Sequence, residues 1–491
     1  MSNKLITSSV AILATNLLTF LTTMINTRIL ATIFSLEEYG YRSQILSIVA
    51  ILTAIFSLGI SNSPIYFISQ ENETKRKNEI IINLYILIFI IVSISLAITY
   101  LSYNFFVIYY KNPKLYSYKI IVSLMLISQI IYPLYTGIMV SLGKTLHSTK
   151  IGFIRSVIIV SSTFLLYLLK KEFQIFMLVT SLIEVLIVIY TICDCIDYKV
   201  NLKSVIDFVL IKKILSYSIP LSITSITIGL CTQIDKLFVT RYFSTEEFAI
   251  YTNMSTELPV AAISGAFITV ISPYVVKLLN KNKVVEAIRL WKSITEFVAI
   301  FLFYITSVLF VYGELIITIL YSEKYLIGII LFRIFIFIQI TRVTYFGLIL
   351  RSYGKSKWIL FCAIITLILN IFLNFVFICF YKKITSFAMA TVVSAFIMQF
   401  LQLIISCKIL NFNFKEIFPW KKIFFLLVTN IIFSIIFYNI TYNFFKISNF
   451  FCIVILIFIW GLSYLFCVYK KLINLWVKIQ NLEAEIDILE L

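Results

Sequence analysis

From end to end this chain is cut into apolar runs of about 20 to 25 residues by short polar interruptions, and no other feature restricts its folding so severely. At 1.5 Å of rise per residue, a helix of that length crosses roughly 30 Å of hydrocarbon. Fourteen such runs are read, at 8–33, 42–68, 79–104, 117–142, 151–169, 173–194, 215–240, 248–277, 290–313, 326–350, 357–380, 385–408, 422–444 and 448–470. With 61% of residues hydrophobic and only 13% charged, no soluble fold of this length could hide so much apolar surface. Inside a bilayer every backbone N–H and C=O must be satisfied internally, and runs this long do so as helices rather than barrel strands. The expected fold is therefore an all-α integral membrane protein with about fourteen spans. The first run continues past Arg28 without a small-residue cleavage site, so no cleavable signal peptide is expected.

Orientation follows from the positions of the 41 Lys and Arg residues. Most fall at the amino terminus, in the loops after even-numbered helices, and in the carboxyl tail. The densest groups are Lys75, Arg76 and Lys77; Lys199, Lys203, Lys212 and Lys213; and Lys277, Lys281, Lys283, Arg289 and Lys292. Positive residues mark the cytoplasmic side, so both termini are expected there. The net charge of +18 reads as this bias together with contact to anionic lipid, and not as a nucleic-acid surface.

A short acidic turn is written twice, as IFSLEEYGY (Ile33 to Tyr41) and YFSTEEFAI (Tyr242 to Ile250). Ser35 and Ser244 are 244 − 35 = 209 residues apart. The same spacing carries Ser63-Pro64 onto Ser272-Pro273, and a spacing of 211 carries Gly143-Lys144-Thr145 onto Gly354-Lys355-Ser356. The chain thus reads as two repeats of six helices. An even number means both run through the membrane in the same sense, as parallel lobes around a central cavity. The expected domains are an N-terminal bundle over 1–205, a C-terminal bundle over 206–412, two added helices over 413–471 and a cytoplasmic amphipathic tail over 472–491. Each Ser-x-Glu-Glu turn is expected to start a helix, its acids favoured near the helix amino terminus.

The stretch TRILATIFSLEEYGYRSQI, followed by IFSLGISNSPIYFIS and, opening the second half, YSIPLSITSITIGLCTQIDKLFVTRYFSTEEFAIY, resembles the Wzx-type oligosaccharide flippases of O-antigen and capsule assembly. These form the polysaccharide-transporter branch of the superfamily that also holds MATE-type extruders and lipid II flippases. The family turn is matched by Leu36 through Gly40 and its late helix-seven acid by Asp235; the second copy departs from it at Ala249, where the first has Gly40. The resemblance implies transport of an undecaprenyl-pyrophosphate-linked oligosaccharide across the bacterial cytoplasmic membrane by alternating access, without catalysis or cofactor. It implies membrane lipids and other polysaccharide-assembly proteins as partners, and leaves open coupling to a proton or monovalent ion. A transporter is physically required, because hydroxyls and a charged pyrophosphate cannot enter hydrocarbon unpaired.

Ionisable residues inside spans are expensive and mark candidate sites. Arg342 is the deepest cation, with Gln339 one turn away on the same face of helix ten; these two are the leading cavity candidates for pyrophosphate. Arg333 lies nine residues before Arg342, hence on the opposite side, and is expected to pair with a neighbour or reach outward. Arg28 in helix one and Asp235 with Lys236 in helix seven occupy related positions in the two repeats; a salt bridge between Arg28 and Asp235 and a direct contact with cargo both remain open. Asp235, Glu184, Glu257 and Glu296 are the buried acids, candidates for ion coupling or for plain ion pairs.

Other patterns carry less. GIMVSLGKT (Gly137 to Thr145) has five residues between its glycines where a phosphate loop needs four, and ends a membrane helix. Cys193 and Cys195 lack a second pair, and the single histidine, His147, leaves no catalytic triad or metal cluster to propose. Apolar residues at three- and four-residue spacing between Leu472 and Leu489 read as an amphipathic helix lying on a surface. A MATE-type exporter of small molecules is the second reading. A membrane polysaccharide polymerase or ligase, which needs a large outer loop, is the third.

Overall fold

The structure is a computed structural model that describes residues 2–195, 206–256, 258, 274–276, 278–279, 281, 283–343, 346–352, 355–445 and 450–488. Everything assigned to a regular element among them is helical. Eleven of these helices are long and apolar enough to cross a membrane, and twelve if the two halves of 208–242, bent near Pro220, are taken as one span. They fall on twelve of the fourteen expected runs. The first expected run is occupied by α1 (Ser2–Ile33), and the eighth, 248–277, lies mostly outside the described residues.

Contacts divide the chain into two units, Met1–Asn253 with Thr318–Tyr325, and Met254–Ile317 with Leu326–Leu491. The first holds α1, α2 (Leu36–Phe56), α3 (Ser63–Phe67), α4 (Thr74–Tyr109), α5 (Lys119–Ser141), α6 (Thr145–Leu168), α7 (Phe173–Cys195), α8 (Phe208–Cys231), α9 (Ile234–Tyr242) and most of α10 (Thr245–Met254). Helices α8 to α10, which the repeat places with the second bundle, therefore group with the first unit. Within it α1 packs along α6, and α5 packs against α2, α4 and α7. Phe34, at the end of α1, meets the edges of Phe173 and Phe176, each at 5.1 Å. Such pairs contribute roughly 0.5–1.5 kcal/mol beyond the area they bury.

The second unit contains α11 (Val284–Val311), much of α12 (Gly313–Leu320), α13 (Ile329–Thr341), α14 (Gly347–Ser352), α15 (Ser356–Phe380), α16 (Ile384–Leu410), α17 (Phe414–Ile417), α18 (Trp420–Tyr438) and α19 (Phe450–Ile488). Here α16 packs on α13 and α15, while α11 packs on α18 and α19. Large apolar side chains such as Leu101 and Phe466 stay 81% and 85% exposed, as lipid-facing residues should.

Both acidic turns are capping boxes. The amide of Glu38 donates to Ser35 Oγ (3.1 Å) and the amide of Ser35 donates to Glu38 Oε2 (3.0 Å). In the second copy Glu247 N donates to Ser244 Oγ (3.2 Å) and Ser244 N to Glu247 Oε2 (2.9 Å). Each box satisfies two backbone donors and sets where α2 and α10 begin. The two helix starts meet: a Cβ on Gly40 would collide with the backbone carbonyl of Thr245. Gly40 is required by that approach.

Three expected helices are broken, the run 215–240 stopping at Cys231 and resuming at Ile234 as α9. The run 42–68 stops at Phe56, turns through left-handed Leu58 (φ 44°) and Gly59 (φ 64°), and resumes as α3. The run 326–350 stops at Thr341 and resumes at Gly347.

Candidate functional site

Arg28 and Asp235 are not bridged to one another. The Arg28 guanidinium donates to the Thr318 carbonyl. Ser322 Oγ donates to Ala31 O at 3.4 Å, and Lys324 Nζ to the carbonyls of Thr32 and Phe34, so the end of α1 is bound to the segment Thr318–Tyr325. A long guanidinium finds its partner among carbonyls left open at a helix end, where no acid has to be desolvated. Asp235, only 3% exposed, instead accepts from the Tyr251 hydroxyl at 2.7 Å and from the Lys236 amide at 2.8 Å. Lys236 itself is half-buried beside it. Near them a buried chain of amides runs from Asn112 Nδ2 to Gln44 Oε1 (2.7 Å) and from Gln44 Nε2 to Thr240 Oγ1 (3.1 Å).

Glu184 and Glu296 take cationic partners. Glu184 pairs with Arg155, whose guanidinium also lies 4.4 Å from the Tyr132 ring centre. Arg155 escaped the sequence reading although it sits inside the run 151–169; the rule that selected Arg342 selects it equally. Glu296 is 3% exposed and accepts from Lys422 Nζ at 2.7 Å, while its second oxygen, Oε2, has no hydrogen bond. Burying a carboxylate this deeply demands such a partner. Lys422 was missed because it is the first residue of the run 422–444, where a lysine reads as an interfacial end, and it lies 126 residues from Glu296 along the chain. Glu257 lies outside the described residues.

In the second unit Arg333 reaches Glu314 (Nη2 to Oε1, 3.5 Å) and donates from Nε to Phe310 O at 3.3 Å. Its nine-residue separation from Arg342 therefore ends in a neighbour, as the helical phase requires. Arg342 is the C-cap of α13, its amide donating to Gln339 O at 3.0 Å, so it stands at the helix break and not within a continuous span. Gln339 is 5% exposed and its Oε1 accepts no hydrogen bond. It lines a cavity with Ser255, Thr256, Phe332, Phe335 and Ile336. An unsatisfied amide oxygen costs about 1–3 kcal/mol, so a donor entering this cavity would be favoured there.

Long apolar helices, with ion pairs between them and breaks beside polar side chains, define a polytopic membrane protein. The fold is similar to that of the lipid II flippase MurJ in an inward closed conformation, with a TM-score of 0.71 at 18% identity over 95% of this chain and 100% of that one. It is also similar to an inward-facing multidrug resistance MATE transporter of the MOP superfamily, with a TM-score of 0.66 at 9% identity over 80% and 94%. No curated protein sequence matches the chain significantly. The profile of the polysaccharide biosynthesis protein family matches residues 3–279, and the chain belongs to that family.

Proposed function

We propose that the protein is a Wzx-type flippase, carrying an undecaprenyl-pyrophosphate-linked oligosaccharide from the cytoplasmic to the outer leaflet of the bacterial cytoplasmic membrane for O-antigen, capsule or related polysaccharide assembly. Membership in the polysaccharide biosynthesis family is the observation that carries this reading, joined to a fold shared with a lipid II flippase. A family tied to polysaccharide production and a transporter fold leave the movement of a glycan as the task common to both. The MATE-like likeness favours an exporter of small molecules no further than the fold itself.

In this scheme the two six-helix repeats alternate access to a central cavity, both termini are cytoplasmic, and the lipid tail stays in hydrocarbon while the head group crosses. Arg342 receives the pyrophosphate, its charged fork suiting the oxygens, while Gln339, whose open Oε1 is an acceptor, suits a hydroxyl of the adjoining sugar. Glu184 and Glu296, already in ion pairs, serve the scaffold. The test is gene deletion in the host. Accumulation of a lipid-linked oligosaccharide on the cytoplasmic face, cleared by restoring the gene, is expected; normal surface polysaccharide with no accumulation refutes the reading.

A further inference from the structure

The left-handed turn at Leu58 and Gly59 re-aims the last turns of the second span. A Cβ on Gly59 would lie 3.2 Å from the Ser218 carbonyl, so the turn seats directly on α8. Three rings gather at this seat. Tyr66 stacks on Tyr217 with centroids 4.5 Å apart and planes 21° from parallel. Phe67 stands edge-on to Tyr217 at 5.7 Å and 82°, holding it in place. Tyr66 nevertheless keeps 43% of its surface exposed, which leaves one ring face open.

The surroundings of that open face are unlike the lipid-facing surface elsewhere. Asn62, Tyr66, Ser69 and Gln70 are all exposed, with Ile65 beside them, so the open ring is bordered mainly by polar side chains. Lys213, one turn before Tyr217 on α8, is exposed as well. Among the described residues the hydroxyls of Tyr66 and Tyr217, the side-chain amides of Asn62 and Gln70 and the ammonium of Lys213 have no hydrogen-bond or ion-pair partner in the protein. Both segments adjoin stretches that the charge bias places in the cytoplasm, Lys75 to Lys77 on one side and Lys212 with Lys213 on the other.

We infer that Tyr66, backed by Tyr217 and Phe67, is a cytoplasmic platform on which a sugar ring of the cargo stacks as it is loaded. The inference rests on the flippase reading. A pyranose presents an apolar C–H face rimmed by hydroxyls. An open aromatic face bordered by unpaired amides and hydroxyls matches both parts, in the way ligand sites combine apolar walls with a few polar groups. Lys213 stands where the head group's pyrophosphate would follow. Tyr66 makes the contact, while Tyr217 positions it.

The experiment compares Tyr66→Leu and Tyr66→Phe with the unaltered protein, purified in detergent. The first probe is lipid-linked oligosaccharide extracted from the host strain lacking the gene; the second is undecaprenyl pyrophosphate with no sugar. Tyr66→Leu keeps bulk and removes the aromatic face, so its affinity for the first probe is expected to fall about fivefold while its affinity for the second is unchanged. Tyr66→Phe, which retains the face, stays within about twofold for both. Unchanged binding of the glycan-bearing probe by Tyr66→Leu overturns the platform. An equal loss for both probes also overturns it, showing a lipid or phosphate contact instead. A deletion strain that yields no lipid-linked oligosaccharide overturns the flippase reading, and this site falls with it.

Discussion

Replacing Gly40 by alanine tests a close backbone approach in the first unit. A Cβ there would lie 2.9 Å from the Thr245 carbonyl carbon and closer still to its oxygen. Thr245 cannot swing away, because it is the first residue of α10 and the Ser244–Glu247 capping box fixes that turn on both sides. The two helix starts must separate instead, loosening a layer that contains the fully buried Tyr39 and Phe248. Overpacking of this kind costs about 1–3 kcal/mol, and an unyielding backbone neighbour argues for the upper end. Alanine returns about 1 kcal/mol over glycine in a helix, so a net loss of about 2 kcal/mol is expected, or a fall of about 2–4 °C in apparent Tm. Thermal unfolding in detergent, followed by loss of monomeric protein on size exclusion, reads it. Gly152→Ala is the control, since its Cβ would meet only the Tyr132 hydroxyl at 3.2 Å, the far end of a side chain. It should be neutral or mildly stabilising. If Gly40→Ala unfolds at or above the temperature of the unaltered protein, the contact between the two helix starts is not as described.

Three further outcomes are expected. Lys422→Ala leaves Glu296 buried without its cation and should cost about 1–2 kcal/mol, with much of the loss recovered when Glu296→Gln is added; additive losses in that double-mutant cycle would remove the pair from the account. Arg342→Lys should keep part of glycan export and Arg342→Ala should lose most of it with the protein still inserted, whereas normal export by Arg342→Ala would move the phosphate-binding role elsewhere. Single cysteines placed at Lys75 and Lys281 should label from the cytoplasm and those at Glu38 and Glu247 from outside, the reverse pattern contradicting the charge bias.

The spans were legible because bilayer thickness converts directly into run length, and run length survives any detail of packing. The capping boxes were legible for a similar reason, being formed by residues three apart. Breaks inside spans were not. Leu58 and Gly59 lie in a stretch apolar enough to pass for continuous helix, and their left-handed turn is fixed by the seat on Ser218 and Ser222, more than 150 residues further along the chain. The partner of Arg28 was equally hidden, since any residue's carbonyl can accept from a guanidinium and Thr318 carries no charge to advertise the pairing. Glu184 was visible as a buried acid, but its partner depends on how α6 lies on α7, which spacing along one helix does not encode.

The capping boxes at Ser35 and Ser244 also act as stops against axial sliding. Each box closes on its own four residues, so its position along the helix is independent of the neighbours. Each also carries a pair of glutamates directly at the helix start, Glu37 with Glu38 and Glu246 with Glu247. Drawing a box one turn inward, about 5.4 Å, would pull two carboxylates from headgroup water toward hydrocarbon, at a cost approaching several kcal/mol for the pair. Sliding outward would instead lift apolar residues such as Ile45, Ile48 and Ile51 toward water. The depth of α2 and α10 is thereby pinned at one end by local chemistry. Helices so anchored can tilt or rotate about these capped ends, but a piston-like stroke along their axes is closed to them.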